Sequence, residues 1–147
     1  MRALKKFLKS KGYVSVSLTL TATDHFEVMA EINGIEGRFI LDTGASNTCI
    51  GTERIAFFEL RPEPSEIKAA GAGATAMETF VAAKNRITIG NWERKKQKLV
   101  LFDLVHVNEA LVNHKAQPVD GIIGADILKK GKAVIDYDKK RLFLKMR

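Results

Sequence analysis

The pattern of apolar and polar residues predicts that the first third of the chain is a β-meander. Residues 13–20 and 26–32 both carry an apolar side chain at every second position, which is the spacing of half-buried strands. An Asn-Gly pair at 33–34 predicts a hairpin turn after the second of these strands. A third, more continuously apolar strand at 38–41 then ends at Asp42. The meander therefore carries a carboxylate at the end of an apolar strand.

Similar patterns predict shorter elements in the rest of the chain. Leucine and phenylalanine at helical spacing among lysines predict an amphipathic helix at the N-terminus. The other predicted elements are a strand at 47–50, a short helix at 52–58 that Thr52 would cap, strands at 80–89 and 98–104, a helical turn at 106–113, a strand at 119–123, a helix at 125–130 and a closing hairpin at 133–144. Because strands predominate, we predict an all-β fold with one or two short helices.

The bulk properties of the chain fit one domain. At 147 residues, we predict a basic N-terminal segment at 1–12 followed by a single domain at 13–147. No apolar run reaches the roughly 18 residues of a membrane span. No apolar segment with a cleavage site follows the basic N-terminus, so no signal peptide is expected. The single cysteine, Cys49, excludes an internal disulfide and is expected to be a small core residue. A cytoplasmic location is the default expectation.

The net charge of +7 raises the alternative of a nucleic-acid or membrane partner. The basic residues cluster at the two termini and at 94–98, and Trp92 is the aromatic residue beside the third cluster. Since base stacking requires interleaved aromatic side chains, a solvated basic surface is favoured and no specific nucleic acid is expected. Peripheral contact of the N-terminal helix with an anionic membrane is a weaker alternative.

Candidate chemistry centres on Asp42, Thr43 and Gly44. A carboxylate that follows buried residues is costly to ionise unless hydrogen bonds or a partner group compensate. Thr43 supplies a hydroxyl, and Gly44 allows another backbone to approach closely. With Ala45 following, the stretch 38–46 resembles the active-site signature of aspartic proteases.

Two later segments make this resemblance more specific. Residues 69–74 contain only Ala and Gly and lie about thirty residues after the Asp-Thr-Gly. Ile122, Ile123 and Gly124 then precede a predicted short helix. The order of these three features resembles the retropepsin-like fold, a closed β-barrel, and the resemblance covers residues 13–144.

The resemblance implies a role for each of these segments. The implied roles are catalysis for Asp42, support of the active-site loop for Thr43, Gly44 and Ala45, flap and substrate contact for Ala70, Gly71, Ala72 and Gly73, and structural support for Ile122, Ile123 and Gly124. No cofactor is expected. No metal is expected either, because His25, His106 and His114 lack ligand spacing.

The resemblance also implies a homodimer. The chemistry needs two carboxyl groups that share a proton, one to take a proton from water and one to donate a proton to the carbonyl oxygen. The chain has one Asp-Thr-Gly and no Asp-Ser-Gly, so each subunit would supply its own Asp42 to one site. Ala125 stands where retroviral members commonly carry an arginine used in dimer stabilisation. The chain is therefore more similar to cellular and bacterial relatives.

The predicted function is an aspartic endopeptidase acting on an extended peptide or protein. One alternative is a non-catalytic dimeric relative that binds peptides in the same groove. Another is a basic module that recognises nucleic acid or anionic lipid. Among the remaining acids, Asp120 is interpreted as an ordinary turn residue and Asp126 as a helix cap or dipole partner.

Overall fold

A computed structural model describes residues 2–65 and 79–146 of the chain. The strands in this part are β1 (Tyr13–Ser17), β2 (Thr19–Leu20), β3 (Phe26–Ile32), β4 (Ile35–Leu41), β5 (Cys49–Gly51), β6 (Glu63–Ser65), β7 (Thr79–Ile89), β8 (Trp92–Phe102), β9 (Gly121–Ile123), β10 (Val134–Asp136) and β11 (Arg141–Lys145). The helices are α1 (Arg2–Ser10), α2 (Val105–Asn113) and α3 (Ala125–Lys130), with a 3₁₀ turn at Thr52–Arg54. The predominance of strands is confirmed. Helix α1 lies in the predicted N-terminal segment, and α2 and α3 lie in the predicted domain, for which one or two short helices were predicted.

Six strands close into a barrel. Their hydrogen-bonded order is β3-β4-β9-β5-β8-β7, and β7 pairs back with β3 where Ile32 lies opposite Ile87. Within the barrel, β9 runs parallel to β4 and antiparallel to β5. The closed barrel confirms the predicted fold class.

A smaller sheet joins the two ends of the described chain. β11 lies between β1 and β10 and pairs antiparallel with both. The strand predicted at 13–20 is therefore divided, because β1 joins this sheet whereas β2 pairs with β3 of the barrel sheet. The division falls at Leu18, whose amide donates to the Lys140 carbonyl (2.9 Å) and whose side chain is buried.

The central strands are buried on both faces. Phe39 and Leu41 of β4 belong to the larger core, whereas Ile40 belongs to a second cluster that includes Leu111 of α2. Since alternate residues of a strand point to opposite faces, a strand covered on both faces is apolar throughout. This burial explains the uninterrupted apolar segment before Asp42.

Several predicted boundaries differ from the structure, and two of them differ most. The helix predicted at 52–58 is only the 3₁₀ turn, which follows Gly51 and has no side-chain cap from Thr52. Strand β8 begins at Trp92 and not at 98. A bulge hides its period, because two exposed lysines, Lys95 and Lys96, lie between the positions that pair with Ile87 and Asn85 of β7.

Candidate active site

Asp42 lies directly after β4, half-buried at the start of a turn. Its amide donates to the Ile123 carbonyl of β9 (3.0 Å), which fixes the backbone at this point. Its carboxylate Oδ1 accepts the Gly44 N–H (2.9 Å), and its carbonyl accepts the Ala45 N–H (3.2 Å). Such an Asx turn holds the side chain against its own backbone. One carboxylate oxygen is thus oriented by the loop itself.

Strand β9 brings Ile122, Ile123 and Gly124 beside this turn. Ile122 and Ile123 are buried and pair with Ile40 and Leu41 of β4. A Cβ on Gly124 would lie 2.7 Å from the Ala45 carbonyl oxygen and 2.8 Å from that of Asn47. The backbone of Gly124 is extended (φ −104°), which any residue can adopt. Glycine is required there because the loop backbone lies too close for a side chain.

The loop residues around Asp42 differ in exposure. Thr43 and Gly44 are exposed in the single chain, whereas Ala45 is half-buried and packs against the second core cluster. The Ala45 carbonyl also accepts the Ala125 N–H (2.7 Å), which connects the loop to the start of α3. The structure thus places these residues next to Asp42, and their supporting roles stay predictions.

The predicted flap residues Ala70, Gly71, Ala72 and Gly73 lie outside the described residues. The strands on either side, β6 and β7, pair antiparallel with each other, with Ser65 opposite Thr79. The flap role stays a prediction.

A polar network behind the loop was missed by sequence reasoning. The Thr48 hydroxyl donates to Asp126 Oδ1 (2.8 Å) and accepts the buried Gly124 N–H (3.1 Å). Gln97 donates to Asp126 Oδ2 (3.0 Å), and Lys130 Nζ donates to Gln97 Oε1 (3.3 Å). The Asp126 carboxylate therefore connects the loop, β8 and α3. This role is larger than the predicted one of a helix cap or dipole partner. One signal in the sequence could have pointed to it. Gln97 lies two residues before Leu99, so both side chains lie on the same face of β8, and a polar residue on this buried face needs a partner.

Cys49 lies at the start of β5, near this network. Burial, with the negative charges of Asp126 and Asp42 adding to it, raises the pKa of its thiol to about 12. The sulfur donates to the Asn47 carbonyl (3.2 Å). A buried, protonated thiol is a core residue and not a nucleophile, as predicted.

Asp120 has a more defined place than an ordinary turn residue. Its Oδ1 lies 2.8 Å from Arg54 Nε, and its Oδ2 accepts the Arg38 N–H (2.9 Å). Its carbonyl accepts the Gly51 N–H (3.0 Å). The residue thus connects the middle of β4, the strand that leads to Asp42, with the end of β5.

Comparison with protein families identifies the chain. A family model described as aspartyl protease matches residues 28–127, which include Asp42 and the Ile122–Gly124 segment. The chain belongs to the aspartyl protease family. No match was found among curated protein sequences.

Solved structures of low sequence identity share the retropepsin-like fold of this chain. A retropepsin-like aspartic protease from Rickettsia conorii aligns with TM-score 0.58 and 19% identity, over 90% of this chain and 88% of that chain. EIAV protease in complex with an inhibitor aligns with TM-score 0.53 and 19% identity, over 75% of this chain and 90% of that chain. The retroviral protease-like domain of Ddi1 from Leishmania major aligns with TM-score 0.53 and 16% identity, over 80% and 86%. At these identities the likeness shows the fold alone, so the predicted retropepsin-like fold is confirmed, and membership of the aspartyl proteases rests on the family model.

Two further observations describe this aspartyl protease. Within residues 2–65 and 79–146, no group of three or more His, Cys, Asp or Glu side chains is placed to hold a metal ion. None of the helices described is long and apolar enough to cross a membrane.

Proposed function

We propose that the protein is an aspartic endopeptidase whose active site forms from two copies of Asp42, one from each subunit of a homodimer. The observation that carries this proposal is the placement of Asp42. It follows a buried strand, its amide is bound to Ile123 of β9, and its carboxylate is oriented by the Gly44 N–H. The chain belongs to the aspartyl proteases and contains this Asp-Thr-Gly once, which leaves the second carboxyl group to another copy.

In the proposed mechanism one Asp42 carboxylate takes a proton from a bound water, and the water oxygen attacks the peptide carbonyl carbon. The protonated carboxyl group of the other subunit donates its proton to the carbonyl oxygen. The carbon–nitrogen bond of the resulting tetrahedral diol then breaks as the first carboxyl group passes the proton it took from water to the leaving nitrogen. One diol hydroxyl gives its proton to the carboxylate of the other subunit, so the dyad again holds one shared proton. The exposure of Thr43 and Gly44 in the single chain supports this arrangement, because a facing loop of a second copy could reach them.

The substrate is proposed to be an extended peptide or protein segment, bound by main-chain hydrogen bonds. No cofactor enters this mechanism. A cytoplasmic location remains a proposal that rests on the single unpaired cysteine.

The test is cleavage of a peptide library between about pH 4 and pH 7, the range in which carboxyl groups change protonation. We expect Asp42→Asn to abolish cleavage. Asp24→Asn is the matched control, because Asp24 is an exposed turn residue with φ 62°, which asparagine tolerates. Equal cleavage by wild type and Asp42→Asn would contradict the proposal. Peptide binding without cleavage by a proven dimer would favour the non-catalytic alternative.

The dimer is tested separately by mixing. If wild type and Asp42→Asn exchange subunits at equal amounts and constant total concentration, about one quarter of the dimers carry two intact carboxylates, so activity falls to about a quarter. A catalytic monomer would instead retain about half. Sedimentation of each protein alone gives the stoichiometry, and an active strict monomer would overturn the shared site.

A further inference from the structure

A cavity of about 420 Å³ lies away from the Asp42 loop. It is formed where β8 begins, where α3 ends and where the chain leaves β11. The lining residues that matter are Trp92, Glu93, Arg94, Lys95, Lys130 and Met146, and none of them belongs to the Asp42 loop. Ligand sites of small molecules commonly occupy about 300–1,000 Å³, so the cavity is large enough for a small molecule.

The cavity is strongly cationic. Arg94, Lys95 and Lys130 line it, against one lining carboxylate, Glu93. Glu93 is already paired with a cation that does not line the cavity, since its Oε1 lies 3.6 Å from Arg86 Nε. The positive charges in the cavity are therefore not neutralised by the residues that line it.

Arg94 carries the more specific signal. Its Nε is buried and has no hydrogen-bond partner within the part of the chain that the structure describes. A buried guanidinium N–H without a partner is costly, and such groups in native proteins call for an explanation. The planar guanidinium fork matches the oxygen atoms of phosphate or carboxylate groups.

Lys130 adds a second charge to the same cavity. Desolvation, and then the charges of Arg94 and Lys98, lower the pKa of Lys130, against the opposing effect of Asp126. Its Nζ donates to Gln97 Oε1 at 3.3 Å, a long contact. The ammonium group is thus repelled by neighbouring cations and weakly held, and an anion in the cavity would relieve this repulsion.

We propose that this cavity binds a small phosphate-class anion, inorganic phosphate or a phosphate monoester, with Arg94 and Lys130 as its ligands. The Arg94 guanidinium, which lines the cavity, supplies directional N–H donors, and Lys130 supplies a point charge. The confined volume favours a small molecule over an extended acidic peptide. This proposal does not rest on the proposed peptide cleavage, and Lys130 also bonds to Gln97 of the network behind the loop.

The experiment uses a reporter that the chain already contains. Trp92 is the only tryptophan and it lines the cavity, so its fluorescence reports on this site alone. The full chain is titrated with inorganic phosphate, with glycerol phosphate, with a glutamate-rich hexapeptide, and with sodium chloride at matched ionic strength. We expect a saturable response with one site per chain for the two phosphates only.

Three variants and one control variant separate a built site from general positive charge. Arg94→Met and Lys130→Met are expected to weaken phosphate binding about tenfold to a hundredfold, as loss of a charge-assisted hydrogen bond does. Arg94→Lys, which keeps the charge and loses the fork, is expected to weaken it by a smaller factor. Lys96→Met is the matched control, since Lys96 is exposed on the same strand and does not line the cavity.

Several results would overturn the proposal. A response to chloride equal to that of phosphate would indicate screening alone, and a non-saturable response would indicate no site. Equal weakening in Lys96→Met would indicate a diffuse basic surface. Tighter binding of the acidic hexapeptide than of either phosphate would exclude the small-anion assignment. If Arg94→Met fails to fold, the wild-type titrations alone still decide the question.

Discussion

Replacing Thr48 by valine removes one hydroxyl that makes two buried hydrogen bonds. Thr48 is fully buried (0% exposed), and threonine and valine side chains have similar volumes, so the substitution changes packing little. The hydroxyl donates to Asp126 Oδ1 at 2.8 Å and accepts the Gly124 N–H at 3.1 Å. Valine therefore leaves a buried amide without a partner and deprives a carboxylate of a donor.

The magnitude follows from these two losses. A buried N–H without a partner costs about 1–3 kcal/mol, and a hydrogen bond to a charged group contributes about 1.5–3 kcal/mol. Because Asp126 keeps its bond from Gln97 and both losses arise from one hydroxyl, they are not simply additive. We expect the free energy of unfolding to fall by about 2–4 kcal/mol. For a chain of this size each kcal/mol lowers Tm by about 2–4 °C.

The assay is urea unfolding followed by circular dichroism, with Thr19→Val as the control. Thr19 is exposed in β2, and we expect a change within about 0.5 kcal/mol for its replacement. In an Asp126→Ala background the cost of Thr48→Val should shrink by about 1 kcal/mol or more, since the charged partner is gone. A loss below about 0.5 kcal/mol in the wild-type background would refute the view that this network holds the loop.

Two further predictions concern the same region. Because burial raises the pKa of Cys49 from 9.0 to about 12, its neutral thiol stabilises the fold fully below about pH 9, and this contribution is lost as pH rises towards 12. Between pH 7 and pH 10 the free energy of unfolding of wild type should therefore fall by about 1.4 kcal/mol more than that of Cys49→Ala. Parallel pH profiles for the two proteins would contradict this prediction. Gly124→Ala places a Cβ under 3.0 Å from three backbone atoms of Ala45 and Asn47, so we expect a loss of about 1–3 kcal/mol in urea unfolding together with lower peptide cleavage. An unchanged midpoint and unchanged cleavage would show that the loop can move aside at no cost.

The sequence predicts those features whose cause lies within a few neighbouring residues. Strand β3 and helix α3 have the predicted bounds, because period and flanking residues are local signals. Strand β8 was shortened in the prediction because a bulge at Lys95 and Lys96 interrupts its period and charged residues occupy its first half.

The candidate site divides in the same way. Asp42 was identified because an apolar strand and a Thr-Gly turn surround it in the sequence. The bond between Thr48 and Asp126 joins residues 78 positions apart, and the bond from Gln97 to Asp126 joins residues 29 positions apart. No local pattern encodes such partners, since a buried polar side chain finds its partner only after the barrel closes. The cationic cavity likewise depends on α3 ending near the start of β8.

The pairing of β4 with β9 also has a consequence for the order of events during synthesis. The Asp42 amide binds the Ile123 carbonyl, and Arg38 exchanges hydrogen bonds with Asp120, a separation of 82 residues. Contacts of this sequence separation form late, because a long loop must close before they can form. A nascent chain that has not yet emerged past residue 123 lacks the acceptor that fixes Asp42. The carboxylate is therefore held in its native position only once most of the chain has left the ribosome.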